Sequence, residues 1–198
     1  DKPVVFYNSY QRASLFWFYS GKTSHSHNAY NERRSNYNYW PTESHLIGKP
    51  VFISDIYNIG NFTDSVKTIK GWVGISTDTM YAALGNIEII PQQKKIIIEN
   101  AKQLTLICHR KIPPAYLSFL SDNKELKTEL LAGIFKEKEL VKEIRSGITT
   151  QQIVADDEMN VSLNFENIPP GKYQLRLGIK SKDYLPTHNS ENIELVIR

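Results

Sequence analysis

The alternation of apolar and polar residues after Pro91 constrains the fold of this chain more than any other feature. Ile96 and Ile98 begin the pattern, and it returns in residues 104–108, 161–165, 173–179 and 193–197. A period of two with one apolar face is typical of antiparallel strands. Six to eight short strands over about 105 residues predict an antiparallel β-sandwich of immunoglobulin-like type. Residues 132–135 and 140–144 fit a hairpin, and a helix over 137–145 is the competing interpretation.

The first 55 residues follow a different pattern. Residues 3–7 form an apolar, β-branched run that predicts a buried strand. Ser9 is a plausible N-cap for a helix over residues 10–19, which Gly21 would end. A short strand near residues 24–28, a short helix from Trp40 to Gly48 and a strand over residues 50–54 complete a small α/β unit with parallel pairing.

The predicted fold class is therefore α+β, in a chain of two parts. We place a small α/β domain at residues 1–92 and the immunoglobulin-like β-sandwich at 93–198. Residues 57–92 are assigned no fold. A strand over 66–73, and a strand or one helical turn over 80–84, are the options there.

Composition excludes several classes of function. The chain has 198 residues, 40% of them apolar, and a net charge of +3 with no basic arm, so we expect no nucleic-acid partner. Its one cysteine, Cys108, lies in an apolar run and is interpreted as a buried small hydrophobe. No apolar run is long enough to span a bilayer, and no signal peptide is visible. The abrupt start at Asp1 is compatible with a piece excised from a longer protein.

The common catalytic motifs are absent from the sequence, including a glycine-rich phosphate loop and a nucleophile elbow. His25 and His27 lie two residues apart and can share one face of a strand, with His45 or Glu43 as conceivable third ligands. A pair of solvated or hydrogen-bonded histidines in a polar loop is the preferred interpretation, so we predict no metal and no cofactor. Residues 156–158 are three consecutive acids, which we interpret as a solvated turn rather than a catalytic carboxylate pair.

Aromatic residues concentrate near the start of the chain. Residues 6–40 hold eleven of the twenty-two Phe, Tyr and Trp side chains, mixed with Asn, Ser, His and Arg. Tyr and Trp combine an apolar face with a polar group, and Arg forms bidentate contacts with phosphate or carboxylate. In α/β units ligands bind beyond the carboxyl ends of the strands. We therefore predict a substrate-binding or interface site. The alternative is that these side chains only pack under a long loop. The predicted site residues are Tyr10, Gln11, Arg33, Arg34, Asn36, Tyr37 and Trp40.

Four segments in order carry a family resemblance. They are residues 3–14, 18–21 (Phe-Tyr-Ser-Gly), 33–40 (Arg-Arg-Ser-Asn-Tyr-Asn-Tyr-Trp) and 48–51 (Gly-Lys-Pro-Val). Together they resemble bacterial membrane glycosyltransferases of family 39, which are similar to protein O-mannosyltransferases and aminoarabinose-lipid transferases. Arg34, Asn36, Tyr37, Asn38 and Trp40 fill the family's Arg-x-Asn-Gln-Tyr-Asp-x-Trp-like motif, with a shift at Gln-Tyr-Asp. The resemblance covers about a quarter of the chain.

The resemblance implies a place and a partner. In this family a multi-spanning membrane part comes first, and a soluble domain follows on the extracytoplasmic side of the inner membrane. This chain would be that C-terminal domain, and its partners would be the transmembrane part of the same polypeptide and a lipid-phosphate-linked sugar. The family's catalytic carboxylates lie in the membrane part, so the resemblance implies no catalytic residue and no transferase activity in this chain alone.

Two other classes of function remain open from the sequence. One is a stand-alone extracytoplasmic module for carbohydrate binding or adhesion. The other is a hydrolase, which requires Asp55 to converge with His25 and His27.

Overall fold

The computed structural model describes residues 2–55, 63–69, 71–99 and 103–198. Within these ranges the chain forms thirteen strands, three α-helices and two short 3-10 helices at Asn36–Asn38 and Glu43–His45. The strands are β1 Val4–Tyr7, β2 Ser24–His27, β3 Val51–Asp55, β4 Asp64–Thr68, β5 Gly71–Asp78, β6 Glu88–Pro91, β7 Lys95–Ile98, β8 Gln103–Lys111, β9 Thr128–Lys136, β10 Glu139–Arg145, β11 Glu158–Asn164, β12 Gly171–Ser181 and β13 Ile193–Ile197. The helices are α1 Tyr10–Ser20, α2 Pro114–Asp122 and α3 Thr150–Ala155. No helix in the described ranges is long and apolar enough to cross a membrane.

The first sheet has the strand order β2-β1-β3-β5-β4. β1 runs parallel to β2 and to β3, with Val5 opposite His25 on one side and Ile53 on the other. The predicted parallel α/β unit is thus confirmed. The antiparallel hairpin β4–β5 extends the sheet beyond β3.

Helix α1 begins and ends where the sequence predicts. Ser9 occupies the N-cap position, although its side chain makes no capping hydrogen bond. Gly21 takes the left-handed conformation with φ of 65°, and its amide donates to the Trp17 carbonyl. A residue without Cβ is favoured at this position because it adopts positive φ at little cost.

The second half forms two sheets, with strand orders β10-β9-β12-β13-β7 and β11-β8-β6. Alternate residues of the strands are buried, most regularly in β11, and the buried residues of both sheets form one core. This arrangement is consistent with the predicted β-sandwich, while its immunoglobulin-like topology stays a prediction. One pair departs from the expected antiparallel pattern, because β13 and β7 run parallel.

Several local predictions in the first half were wrong. Residues 66–73 are not one strand but parts of two, β4 and β5, joined by a turn. Residues 80–84 form neither a strand nor a helical turn, and Leu84 has a positive φ of 67°. The helix expected from Trp40 to Gly48 is reduced to turns around the 3-10 helix Glu43–His45, with Gly48 at φ of 75°. A buried chain that satisfies its polar groups through tertiary contacts shows no periodicity by which to predict it.

In the second half, the hairpin prediction was right and the competing helix was wrong. β9 and β10 pair with Glu139 opposite Lys136, and Glu137 has a positive φ of 58° in the turn. Helices α2 and α3 were not predicted, because each has fewer than ten residues and shows too few turns to establish a helical period.

The two halves share one continuous hydrophobic core, which includes Val5 and Val51 as well as the sandwich residues. β6 lies within residues 1–92 but pairs with β8 of the second half. The Tyr30 amide donates to the Pro186 carbonyl at 2.8 Å, and Lys182 pairs with Asp78 at 2.7 Å. The boundary at residue 92 stays a prediction.

Candidate functional site

The motif residue Tyr37 lies inside the protein and connects two of the motif-bearing segments, residues 3–14 and 33–40. Its side chain is 2% exposed, and its hydroxyl lies 3.3 Å from the Ser14 hydroxyl of α1. Its ring packs edge-on against His25 of β2 and against Trp40, at centroid distances of 5.7 and 5.4 Å. Tyr37 therefore holds the segment after β2 against helix α1.

Hydrogen bonds shape the loop around Tyr37. The Ser35 and Asn38 side chains form a reciprocal capping box on the 3-10 helix Asn36–Asn38. The Asn28 amide donates to both side chains, to Ser35 Oγ and to Asn38 Oδ1, at 2.7 Å each. This loop is therefore fixed by its own sequence rather than by a ligand.

Five other predicted site residues are exposed at the surface. Tyr10 and Gln11 lie in the first turn of α1, after the carboxyl end of β1, and Tyr10 is 38% exposed. Arg33, Asn36 and Trp40 lie in the segment that follows β2, with Trp40 44% exposed. The Asn8 amide donates to the His27 carbonyl, and its side chain accepts from the Ala29 amide, so the carboxyl ends of β1 and β2 meet. Their role in binding stays a prediction.

Arg34 contacts the second half of the chain. Its guanidinium pairs with Glu191, donates to the His188 carbonyl at 3.3 Å and lies over the Tyr39 ring at 5.6 Å. Its side chain is only 16% exposed. Arg34 therefore connects the loop of residues 33–40, which we call the motif loop, to the sandwich.

Arg34 also lines a cavity of about 180 Å³, which we call the junction groove. The groove runs between the motif loop, β6 and the segment before β13, and its polar lining includes Arg34, Tyr39, Gln93, His188, Glu191 and Asn192. Three of these residues carry a buried polar atom that finds no hydrogen-bond partner among the described residues, namely Arg34 Nε, Gln93 Oε1 and His188 Nδ1. Such unpaired groups are uncommon in native proteins and mark this groove as a candidate ligand site.

Electrostatics keep His188 neutral beside the groove. Burial, followed by the charges of Arg34 and Arg176, lowers the pKa of His188 to about 3. A neutral imidazole offers one donor and one acceptor, which suits hydroxyl or amide groups of a ligand.

His25 and His27 lie on the same face of β2, as predicted, but deep inside the protein. His25 Nδ1 lies 3.0 Å from Thr42 Oγ1, and His27 Nε2 lies 3.1 Å from the Leu185 carbonyl oxygen. Burial, and then the neighbouring His27, lowers the pKa of His25 to about 3, while burial lowers the pKa of His27 to about 4. The two histidines are hydrogen-bonded, as one form of the prediction had it, but they are buried in a strand and not solvated in a polar loop.

Glu43 shares a small polar cavity of about 10 Å³ with this pair. It is 1% exposed, burial raises its pKa, and the Gly85 amide donates to its Oε1 at 3.0 Å. In the described part of the chain, no group of three or more His, Cys, Asp or Glu side chains is placed to hold a metal ion.

The carboxylate that the predicted hydrolase requires, Asp55, lies outside the cavity of the two histidines. Tyr7 packs against His27 at 4.9 Å, and burial, then the charges of Asp78 and Asp55, raises its pKa. Asp55 does not line the cavity that His25, His27 and Glu43 share. Residues 156–158 are exposed, as predicted, but only Asp156 and Asp157 precede the strand, because Glu158 begins β11.

The structure identifies two structurally important residues that the sequence did not indicate. Asn189 is 1% exposed, and its side chain makes four hydrogen bonds that connect the segment 84–87 to β12. His188 beside it lines the junction groove. Neither lies in a motif, and a single Asn or His in a polar stretch gives no sign of its burial.

Comparison with known proteins leaves the chain without an assigned family. No family model and no curated protein matches it. Among solved structures, one match is the extracellular domain of a protein described as a hybrid two-component system from B. thetaiotaomicron, at 13% identity and a TM-score of 0.28. The match covers 78% of this chain and 21% of that chain, so this chain spans about a fifth of its length.

Proposed function

We propose that this chain is the soluble extracytoplasmic C-terminal domain of a bacterial membrane glycosyltransferase of the family-39 type. In this proposal the enzyme takes its sugar from a polyprenyl phosphate, and its membrane part holds the catalytic carboxylates. The domain lies on the periplasmic face of the inner membrane and helps to position the donor or the acceptor.

One observation carries the proposal. Two of the segments that resemble the family, residues 3–14 and 33–40, are separated in sequence but meet through Tyr37, which contacts Ser14 of α1, His25 of β2 and Trp40. The exposed Arg33 and Trp40 belong to the segment that follows the carboxyl end of β2, and α/β units bind ligands beyond the carboxyl ends of their strands. Trp faces suit sugar rings, and Arg suits a phosphate.

The test is the paired variant Arg33→Ala and Trp40→Ala in the full-length protein. Both side chains are exposed, so the fold should survive and protein levels should stay normal. We expect transfer of sugar from the polyprenyl-phosphate donor to fall by about tenfold or more, which corresponds to about 1.4 kcal/mol of lost stabilisation. A matched control is Leu140→Ala with Val141→Ala, two side chains of β10 that are each 45% exposed. Wild-type transfer by the Arg33 and Trp40 variant at normal protein level would refute a role for this surface.

A second function, binding of free carbohydrate, is favoured by the junction groove. Tyr39 is 63% exposed there and offers a ring face, while Asn192, Gln93 and His188 offer hydrogen-bonding groups. Calorimetry of the isolated chain against a glycan panel separates the two functions. A module of this kind should bind a free glycan, and Tyr39→Ala should abolish the heat, while Tyr19→Ala, at an exposed tyrosine of α1, should not. The glycosyltransferase proposal expects little affinity for free glycans without the membrane part.

A further inference from the structure

Helix α1 exposes large apolar side chains on its outer surface. Leu15 is 53% exposed, and Phe18 and Tyr19 are 79% exposed, while Ala13 is the residue of the helix that is fully buried. Phe18 and Tyr19 pack edge-on against each other at 5.1 Å. A soluble protein rarely presents adjacent large apolar side chains in this way unless the surface binds something.

An open apolar groove continues this surface across the first sheet. Helix α1 packs on β1 and β2, and the same face of β3, β5 and β4 has no covering helix in the described part of the chain. The groove has a volume of about 510 Å³, and its apolar lining includes Leu15, Phe16, Phe52, Val66, Val73 and Ile75. We call the exposed side chains of α1 and this groove together the apolar face.

Positive charge surrounds the apolar face. Residues 2–31 contain no Asp or Glu, but they contain Lys2, Arg12 and Lys22. The Lys2 ammonium lies over the Phe52 ring at 5.3 Å, and Arg12 lines the groove. The described residues of the β4–β5 hairpin add Asp64, Lys67 and Asp78, and Asp78 is paired with Lys182, which leaves the surplus positive.

Apolar and aromatic side chains bordered by Lys and Arg are the combination found where proteins enter the interface of a bilayer. Tyr and Trp prefer the level of the headgroups, and apolar side chains insert below them. Each basic residue near an anionic surface contributes further attraction, which salt weakens.

We propose that the apolar face binds the surface of an anionic lipid bilayer, with Leu15, Phe18 and Tyr19 inserted at the boundary between headgroups and acyl chains. This inference goes beyond the proposed function, because binding to lipid requires neither a sugar donor nor an acceptor. It also stands on separate residues from the Arg33 and Trp40 surface.

The test uses the 198-residue chain and vesicles of phosphatidylcholine with or without phosphatidylglycerol. We expect sedimentation with the anionic vesicles, a blue shift of tryptophan fluorescence, and weaker binding at high salt. The double variant Phe18→Ser and Tyr19→Ser should reduce partitioning into the vesicles by about tenfold or more. The reason is that it removes the two large apolar side chains whose transfer from water to the bilayer favours binding. The control variant Leu140→Ser and Val141→Ser, which changes a partly exposed apolar pair of β10 outside the apolar face, should partition as the wild type does.

Three results would overturn the inference. They are no binding of the wild-type chain to anionic vesicles, equal loss in the test and control variants, or a wild-type dimer in solution that the Phe18 and Tyr19 variant dissociates. The last result would assign the apolar face to a second copy of the chain. None of these results bears on sugar transfer by the Arg33 and Trp40 variant, so the two proposals fail separately.

Discussion

Asn189 shows how a single buried amide can hold two halves of a chain together. Its Nδ2 donates to the Leu84 and Ile87 carbonyls at 2.9 and 2.8 Å, and its Oδ1 accepts from the Ile179 amide and the Thr187 hydroxyl at 2.7 Å each. All four hydrogen-bonding positions of the amide are thus used. The positive φ of Leu84 shows that the backbone adopts an unusual conformation beside these bonds.

We predict that Asn189→Ala is among the most destabilising substitutions in the protein. It leaves buried carbonyl and amide groups unpaired, each at a cost of about 1–3 kcal/mol, so a total loss of about 3 kcal/mol or more is expected in urea unfolding. Asn160→Ala, at an exposed position of β11, is the control and should change stability by less than about 0.5 kcal/mol. Similar losses for the two variants would contradict the structural role of Asn189.

The buried histidines make stability depend on pH. The pKa values of His25 and His27 are lowered to about 3 and about 4 in the folded protein, whereas in the unfolded chain both groups titrate near 6.5. As the pH falls below 6.5 the unfolded chain binds protons first, so the free energy of unfolding falls by up to about 1.4 kcal/mol per pH unit for each histidine. The raised pKa of Glu43 acts in the opposite direction, so a variant is needed to separate the effects.

We therefore predict a shallower pH dependence for His27→Gln, whose amide can still donate to the Leu185 carbonyl. Between pH 6.5 and 5, the slope of its unfolding free energy against pH should be smaller than that of the wild type by up to about 1.4 kcal/mol per unit. Urea titrations at several pH values measure it. Parallel slopes for the two proteins would show that His27 titrates alike in the folded and unfolded states.

At the residue scale, the sequence predicted the burial of some side chains but not which aromatic side chains of a loop point inward. It indicated that Cys108 is buried, and the thiol is 0% exposed, with burial raising its pKa to about 12. It did not distinguish the inward Tyr37 from the outward Trp40, because both belong to one aromatic run without a period. Which side chain of such a loop points inward depends on packing against α1 and β2, and those partners are distant in sequence.

At the scale of elements, the Tyr30 ring packs closely against two glycines of the sandwich strands. A Cβ at Gly133 of β9 would lie 2.6 Å from the Tyr30 ring, and one at Gly178 of β12 would lie 3.0 Å from it. The Tyr30 hydroxyl donates to Glu143, and the Arg176 guanidinium donates to the Tyr30 carbonyl at 2.8 Å. The two central strands of the sandwich thus provide a flat surface for one side chain from the first half.

We predict that Gly133→Ala destabilises the protein by about 1–3 kcal/mol through overpacking. The cost should be smaller in a Tyr30→Ala background, where one of the two clashing rings is absent, and a double-mutant cycle by thermal unfolding measures the difference. Gly171→Ala, whose new Cβ would lie 3.2 Å from the nearest atom of the Tyr173 ring, serves as the control. Additive costs of Gly133→Ala and Tyr30→Ala would show that the two positions do not interact.

Elements with a clear period were predictable, and the others were not. β1, α1, β3 and the β9–β10 hairpin follow from apolar runs, alternation and the positions of Ser9 and Gly21. The segment 80–87 has no such pattern, because its carbonyls bond to Asn189 rather than to a regular neighbour. The parallel pairing of β7 with β13 is likewise a matter of topology, which alternation alone cannot indicate.

At the scale of the whole molecule, the two halves share a core and many buried hydrogen bonds. β6 pairs with β8 across the predicted boundary, and Lys182 of the second half pairs with Asp78 of the first. We predict a single cooperative unfolding transition in calorimetry, with calorimetric and van't Hoff enthalpies that agree. Two separate transitions would instead support independent domains at residues 1–92 and 93–198.

The proposed function is a claim about the protein to which this chain belongs. Its most direct test is sugar transfer from a radiolabelled polyprenyl-phosphate sugar, assayed with membranes that contain the full-length gene product and with the 198-residue chain alone. The account predicts transfer by the membranes and none by the isolated chain. Transfer by the isolated chain, or none by membranes in which the full-length protein is present and folded, would contradict it.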